Sequence, residues 1–510
     1  MKALKIILRI ILIFVLIVIL SAVGLGLFVY FSVSDSTNNT PQSVIDNNYS
    51  TTQVVHNQMV KSLNSTSNDV QIGFDGQAIN ELVYGFIQGL DIPSTEIKGA
   101  YAKFDDDKNL YIEIPVKVSF IDTNLKLTLA GKEENRNFSF TIKDAKIGNL
   151  SAFNWLTDWA INKFVNEENI ESTLASNGIK CDISLANKTI SFTKENLLSF
   201  MEDKLKAVSN YDLYSVLIKY ALNHDNILDF DIGESSSIGF NLLMDSISWN
   251  ESTYGSIPYP IDLEAIQSDI KLDMETKSIT PDNITAVYTY YINGYESLDS
   301  ADKETIQGLG YDTTYTGVKP DSSEAVKNYI ESNDPSATEI ASAIIAGSYT
   351  FKVPETTFNA VFASSDFIGK AMGFASKTDT SYICFESMYV DISSNSLDLR
   401  MIVNMGGRRM IVTTDTTAPV SSSYVINANV NAMGLGNVEI TSEDQTTLLT
   451  YLQTVNTEDY LTIDPTNKVL SLDLAKLIGG DSNLNLLSQS LTKKTLKFTD
   501  ENNLEITYSK

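Results

Sequence analysis

Ile72-Gly-Phe-Asp-Gly-Gln-Ala-Ile-Asn-Glu-Leu-Val-Tyr-Gly85 and Phe351-Lys-Val-Pro-Glu-Thr-Thr-Phe-Asn-Ala-Val-Phe-Ala-Ser364 are two versions of one pattern, with Asn80 answered by Asn359. Two more pairs follow in the same order. Lys146-Ile-Gly-Asn-Leu150 is matched by Gly434-Leu-Gly-Asn-Val438. Asp182-Ile-Ser-Leu-Ala-Asn-Lys-Thr-Ile-Ser-Phe192 is matched by Thr462-Ile-Asp-Pro-Thr-Asn-Lys-Val-Leu-Ser-Leu472. The separations Asn80 to Lys188 and Asn359 to Lys468 agree to within one residue. A period this long means duplicated domains, because solenoid repeats recur over only about 20–50 residues.

Within each copy the apolar residues alternate over short stretches. Leu110-Tyr-Ile-Glu-Ile-Pro-Val-Lys-Val-Ser-Phe120, residues 125–129 and residues 138–142 read as antiparallel strands buried on one face. Ala130-Gly131 reads as a turn between two of them, and Asn187-Lys188 as a hairpin. In the second copy, residues 397–405 and 408–414 read as strands joined by Gly406-Gly407. Helices are expected over residues 51–63, 153–165, 194–223 and 323–347. The expected class is therefore α+β, with two modules that each pack helices on a curved antiparallel sheet.

The N-terminal residues fix a location. Residues 10–33 carry no charge, and as a helix they span about 36 Å against a hydrocarbon core of roughly 30 Å. Lys2, Lys5 and Arg9 precede this run and Asp35 follows it, so the expected orientation puts the N-terminus in the cytoplasm. A cleaved signal peptide is the alternative, but the apolar run is too long for an h-region. No Cys lies nearby to accept a lipid. The expected organisation is thus a cytoplasmic stub and transmembrane anchor over 1–33 and a flexible polar stalk with a short helix over 34–68. A first module over 69–250, an insert or connector over 251–340 and a second module over 341–510 follow, all extracytoplasmic. Tyr288-Thr-Tyr-Tyr-Ile-Asn-Gly-Tyr295, inside the connector, reads as a hairpin through its Asn-Gly pair.

These residues carry a resemblance. The order is anchor, polar stalk, Ile79-Asn80-Glu-Leu82, antiparallel strands, Ile147-Gly148-Asn-Leu150 and Asn187-Lys188-Thr-Ile190. Phe358-Asn359, Leu435-Gly436-Asn-Val438 and Asp464-Pro465-Thr-Asn467-Lys468-Val-Leu470 repeat it. This resembles the YpmS-like family of membrane-anchored extracytoplasmic proteins of Gram-positive bacteria, in two tandem copies. A typical member would hold one module, and residues 251–340 fall outside the likeness.

Composition narrows the function. The chain has 37 basic and 64 acidic residues, a net charge of −27. Nucleic-acid binding needs clustered Lys and Arg, so nucleic acid is not an expected partner. Two cysteines, Cys181 and Cys384, are too few for a disulfide scaffold and are expected as buried apolar side chains, an inter-module bridge being the alternative. The two histidines, His56 and His224, stand in no metal-ligand spacing, and no nucleophile elbow or phosphate loop is present. Asp105-Asp-Asp-Lys-Asn109 has Leu110 where a calcium loop needs Gly, and reads as a hairpin turn.

No catalytic, metal or cofactor residue is therefore assigned. The candidate contacts are an apolar stripe of Phe153, Trp155, Trp159 and Phe164, for an apolar ligand or a membrane, and Arg408 with Arg409, for an anion. Core packing and a solvated hairpin tip are their plainer readings. The leading expectation is a non-enzymatic envelope protein that binds lipid or another apolar ligand, or supports envelope assembly. A structural or adhesin-like spacer is the alternative, and a carboxylate-dependent wall-polymer hydrolase stands third.

Overall fold

The computed structural model describes residues 35–87, 95–118, 121–134, 137–148, 150–151, 181–184, 186–193, 196, 220–221, 224–233, 237–455, 459–478 and 483–510. The apolar run 10–33 and the stripe of Phe153, Trp155, Trp159 and Phe164 lie outside the described residues. Among the described residues no helix is long and apolar enough to cross a membrane. The chain is mixed α+β and forms two compact units, Met1–Tyr211 with Ala221–Leu242 and Asp212–Tyr220 with Leu243–Lys510.

Among the described residues the first unit opens with α1 (Gln42–Asn47), α2 (Thr51–Leu63), β1 (Val70–Asp75) and α3 (Gly76–Ile87). Then come β2 (Thr95–Ile97), β3 (Tyr101–Phe104), β4 (Leu110–Val118), β5 (Ile121–Glu134), β6 (Asn137–Ile147) and β7 (Leu150–Ser151). It closes with β8 (Asp182–Ser184), β9 (Thr189–Phe192), β10 (Leu228–Ile232) and β11 (Ser237–Leu242). A small sheet has the order β1-β11-β10, and a large one runs β2-β4-β5-β6-β9-β8 with β3 beside β4 and β7 beside β6. Alternation places Ile112, Ile114 and Val116 of β4 with Leu125, Leu127 and Leu129 of β5 on one face, where Ile79 and Val83 of α3 cover them.

From Leu243 on, the second unit has seven helices in succession: α4 (Met244–Ile247), α5 (Glu251–Tyr254), α6 (Leu263–Asp273), α7 (Ile284–Asn293), α8 (Ser300–Gly308), α9 (Ala325–Ser332) and α10 (Ala337–Ala346). Next are β12 (Ser348–Pro354), α11 (Glu355–Ser364), β13 (Ala371–Ala375), β14 (Thr380–Ser393), β15 (Ser396–Met405), β16 (Arg408–Thr417), β17 (Val425–Leu435) and β18 (Val438–Glu439). The unit ends with α12 (Ser442–Val455), β19 (Leu461–Asp464), β20 (Val469–Asp473), α13 (Leu474–Ile478), α14 (Asn483–Ser490), β21 (Lys493–Thr499) and β22 (Asn503–Ser509). Its small sheet is β12-β22-β21 and its large sheet β13-β14-β15-β16-β17-β20-β19, with β18 beside β17. Both large sheets curl into half-barrels.

The duplication extends to the irregularities of the backbone. The ladder β5–β6 shifts register between Thr128 and Leu129, and the matching ladder β16–β17 shifts between Asp415 and Thr416. A bulge bends its strand and adds twist, so both sheets curl at the same place. Gly148 and Gly436, in the repeated Ile/Leu-Gly-Asn turn, share φ of 56°. Lys188 and Lys468, in the repeated hairpin, take φ of 53° and 52°.

Four expectations need correction. Residues 251–340 are part of the second unit and cover the outer face of its large sheet. Trp249, Tyr254 and Ile257 pack on Tyr389, Ile402 and Ile411, and Tyr288 hydroxyl lies 3.1 Å from Thr380 Oγ1. Covered on both faces, β14 is buried almost throughout.

Tyr288–Tyr295 is no hairpin. Residues through Asn293 form α7, and Gly294 at φ 83° ends it, because a positive φ open to glycine can stop a helix as well as turn a hairpin.

Ala130-Gly131 is no turn either, since β5 runs through it. A Cβ on Gly131 would sit 2.0 Å from Ile232 Cγ2, so this glycine admits a close neighbour.

The fourth concerns the polar stalk. Residues 35–48 are packed on the first unit, with Val44 buried and Asp35 paired to Lys126 at 2.7 Å. The expected helix over 51–63 is present as α2, started by Ser50, whose hydroxyl accepts the Gln53 amide at 3.2 Å.

Candidate functional site

Asn80 and Asn359 hold the same place, the fifth residue of α3 and of α11. Both are buried, at 4% and 2% exposure. Among the described residues neither side chain bonds to its own helix. Asn359 Oδ1 accepts the Val390 amide of β14 at 2.7 Å, and Asn80 Oδ1 accepts the Ala102 amide of β3. Each Asn therefore ties its helix to the large sheet, at a backbone amide that would otherwise be buried without a partner.

In the second unit that tie borders a cavity. About 60 Å³ of open space lies between the large sheet, α11 and α12. Its walls are apolar: Phe362 from α11, Val390 from β14, Leu399 from β15, Leu452 from α12, Ile463 from β19 and Leu470 from β20. Ser365, just past the end of α11, also lines it and is 5% exposed. Among the described residues its hydroxyl has no hydrogen-bond partner. Asp366, also lining the space, is exposed. The backbone there is held by Lys319, whose ammonium donates to the Ser365 carbonyl at 2.6 Å.

Sequence reasoning missed this site. Its walls come from six elements spread over residues 355–473, and no local spacing joins them. The aromatic stripe Phe153, Trp155, Trp159 and Phe164 lies in chain order between β7 and β8. This is the position that α12, a wall of the cavity, takes between β18 and β19.

Arg409 is already engaged by an internal anion. Its Nε and Nη2 each donate to Glu386 at 2.8 Å in a two-pronged pair, and Asn404 Nδ2 donates to the same carboxylate at 2.8 Å. Glu386 has no exposed surface. The guanidinium also lies 5.7 Å from the Trp249 ring. Gly406-Gly407 is the expected hairpin turn and Arg408 stands beside it, half-buried. Of the two arginines, Arg409 is thus committed to an internal carboxylate.

The Asp105 turn is self-satisfied: Asp105 Oδ1 accepts the amides of Asp107 at 3.0 Å and Asn109 at 2.8 Å, and Lys108 takes φ of 65°. Among the described residues no group of His, Cys, Asp and Glu could hold a metal ion. Cys181 and Cys384 are both buried. Burial pushes the Cys384 thiol well above its ordinary value, which keeps it protonated and unreactive. Searches of protein-family models, curated proteins and solved structures return no match to this chain.

Proposed function

We propose that the protein is a membrane-anchored, extracytoplasmic binding protein without catalytic activity, whose second unit receives part of an apolar ligand such as a lipid chain. The observation that carries this reading is the apolar cavity between sheet and helices, with Ser365 as its buried polar group. Ligand sites are typically apolar concavities with few polar groups. The space is small beside the roughly 300–1,000 Å³ of drug-sized sites, so it suits the end of a chain or a small branched group. Residues 10–33 serve as the anchor with the N-terminus in the cytoplasm, and the motif order favours a YpmS-like envelope protein of a Gram-positive bacterium. A spacer or adhesin-like role would leave the cavity without a purpose.

The test is photolabelling of the full chain in lipid nanodiscs with a diazirine-bearing fatty-acyl probe, mapped by mass spectrometry. Label should appear on peptides spanning 362–399 and 452–472 and disappear in Leu452→Trp, which fills the space. Label that spreads over the surface, unchanged by that variant, would refute the proposal.

A further inference from the structure

Residues 35–40 close open polar groups of the first unit. Asp35 donates its amide to the Asp122 carbonyl at 3.0 Å, and its carboxylate meets Lys126 Nζ at 2.7 Å. Those two side chains are only 11% and 22% exposed. Asn124, with no exposed surface, donates its side-chain amide to the Thr37 carbonyl at 2.7 Å. Asn39 Nδ2 donates to Glu113 Oε2 at 3.0 Å, and Glu113 is 2% exposed. Undocking this segment would take these partners from Asn124 and Lys126 of β5 and leave Glu113 of β4 with the Tyr111 hydroxyl alone.

The expected membrane span ends at Val33, two residues before Asp35. Two residues of extended chain reach about 7 Å. We infer that the end of the first unit formed by Glu96, Lys98, Lys117 and Asp122 rests on the lipid headgroups, so that the bilayer surface is its partner. This inference rests on the reading of residues 10–33 as the anchor.

Strand register gathers that end: Glu96 faces Lys117 across β2–β4, and Lys117 faces Asp122 across β4–β5. Its charge suits the place. Lys98, Lys117 and Lys126 balance Glu96, Asp122 and Asp35, whereas the chain as a whole carries −27. A locally neutral end approaches an anionic leaflet without the repulsion that the acidic remainder meets.

The test uses the full chain in nanodiscs holding headgroup-labelled quencher lipids, with a fluorophore on a single introduced cysteine. Glu96→Cys reports the proposed contact. Asp107→Cys, on the turn before Leu110, reports the opposite end of β4, about 25 Å away at 3.3 Å per residue. Both native thiols are buried, which leaves the introduced one reactive. Quenching at position 96 should exceed that at position 107 several-fold, and Asp35→Ala should erase the difference. Equal quenching at both positions, in a chain that resists alkaline carbonate extraction, overturns the docked end and leaves the anchor standing. A chain that carbonate extracts overturns both.

Discussion

Asn359 Oδ1 accepts the backbone N–H of Val390 at 2.7 Å, and the side chain of Val390 lines the cavity. One hydrogen bond thus fixes the distance between α11, which supplies Phe362, and the strand that forms the opposing wall. Asn359→Ala strands the Val390 amide and should cost about 1–3 kcal/mol, read by urea denaturation, and should weaken apolar labelling of the cavity. Asn80→Ala should cost a similar amount in the first unit and leave cavity labelling intact. Equal loss of labelling in both variants would show that the bond acts through global stability alone.

Arg409→Ala leaves Glu386 buried without its cation. Loss of one partner from a buried pair costs about 3–5 kcal/mol, and a guanidinium 36% exposed puts the expected value at the low end. Arg408→Ala, half-buried next door, should cost less than Arg409→Ala. Thermal unfolding of the two variants side by side checks this; equal shifts would contradict the assignment of Glu386 to Arg409.

Gly373→Ala tests whether residues 243–347 belong to the second unit. The new Cβ would stand 2.6 Å from Tyr288 Cδ2 and 2.9 Å from the Ile284 carbonyl oxygen. Overpacking of this kind costs about 1–3 kcal/mol. Limited proteolysis should then cut α7 faster than in the parent chain. An unchanged cleavage pattern would mean that α7 is not seated on β13.

Asp35 makes the docked segment sensitive to acid. Burial opposes its charge, but Lys126, the amide and hydroxyl of Thr37 and Asn124 together hold the carboxyl well below its ordinary value of 3.8. A depressed carboxyl contributes its stability in full above the ordinary value, and loses it as pH falls toward the depressed one. Hydrogen exchange at residues 35–40, corrected for the intrinsic pH dependence of exchange, should therefore hold steady between pH 8 and 5 and rise below about pH 4. Asp35→Asn should remove that dependence. A rise already at pH 6 would place the switch elsewhere.

Several features were legible because short, local chemistry dictates them. The repeated Gly at φ 56° and the repeated Lys at φ 53° and 52° sit in turns that the sequence marks twice. Alternation located β4, β6, β15 and β16, and α2 fills the helix expected over residues 51–63. Glycine was the main source of error. Gly294 ends a helix and Gly131 admits Ile232, and neither role differs from a turn in the residues nearby. The polar segment 35–48 looked like solvent-exposed chain because its partners, Lys126, Asn124 and Glu113, lie some 70–90 residues away. Glu386 lies only 18 and 23 residues from Asn404 and Arg409 but on another strand, and the cavity walls are spread over six elements, so neither shows in local spacing.

The pairing of the first and last strands in each module has a mechanical consequence. Val70 faces Leu242 where β1 begins and β11 ends, and Ser348 faces Ser509 where β12 begins and β22 ends. Tension applied to a module through these strand ends would meet a single residue pair and then the next, peeling the ladder open in sequence. Strands loaded in shear resist together; strands loaded this way yield one pair at a time. Each small sheet is thus poorly placed to bear a load applied at these two strand ends.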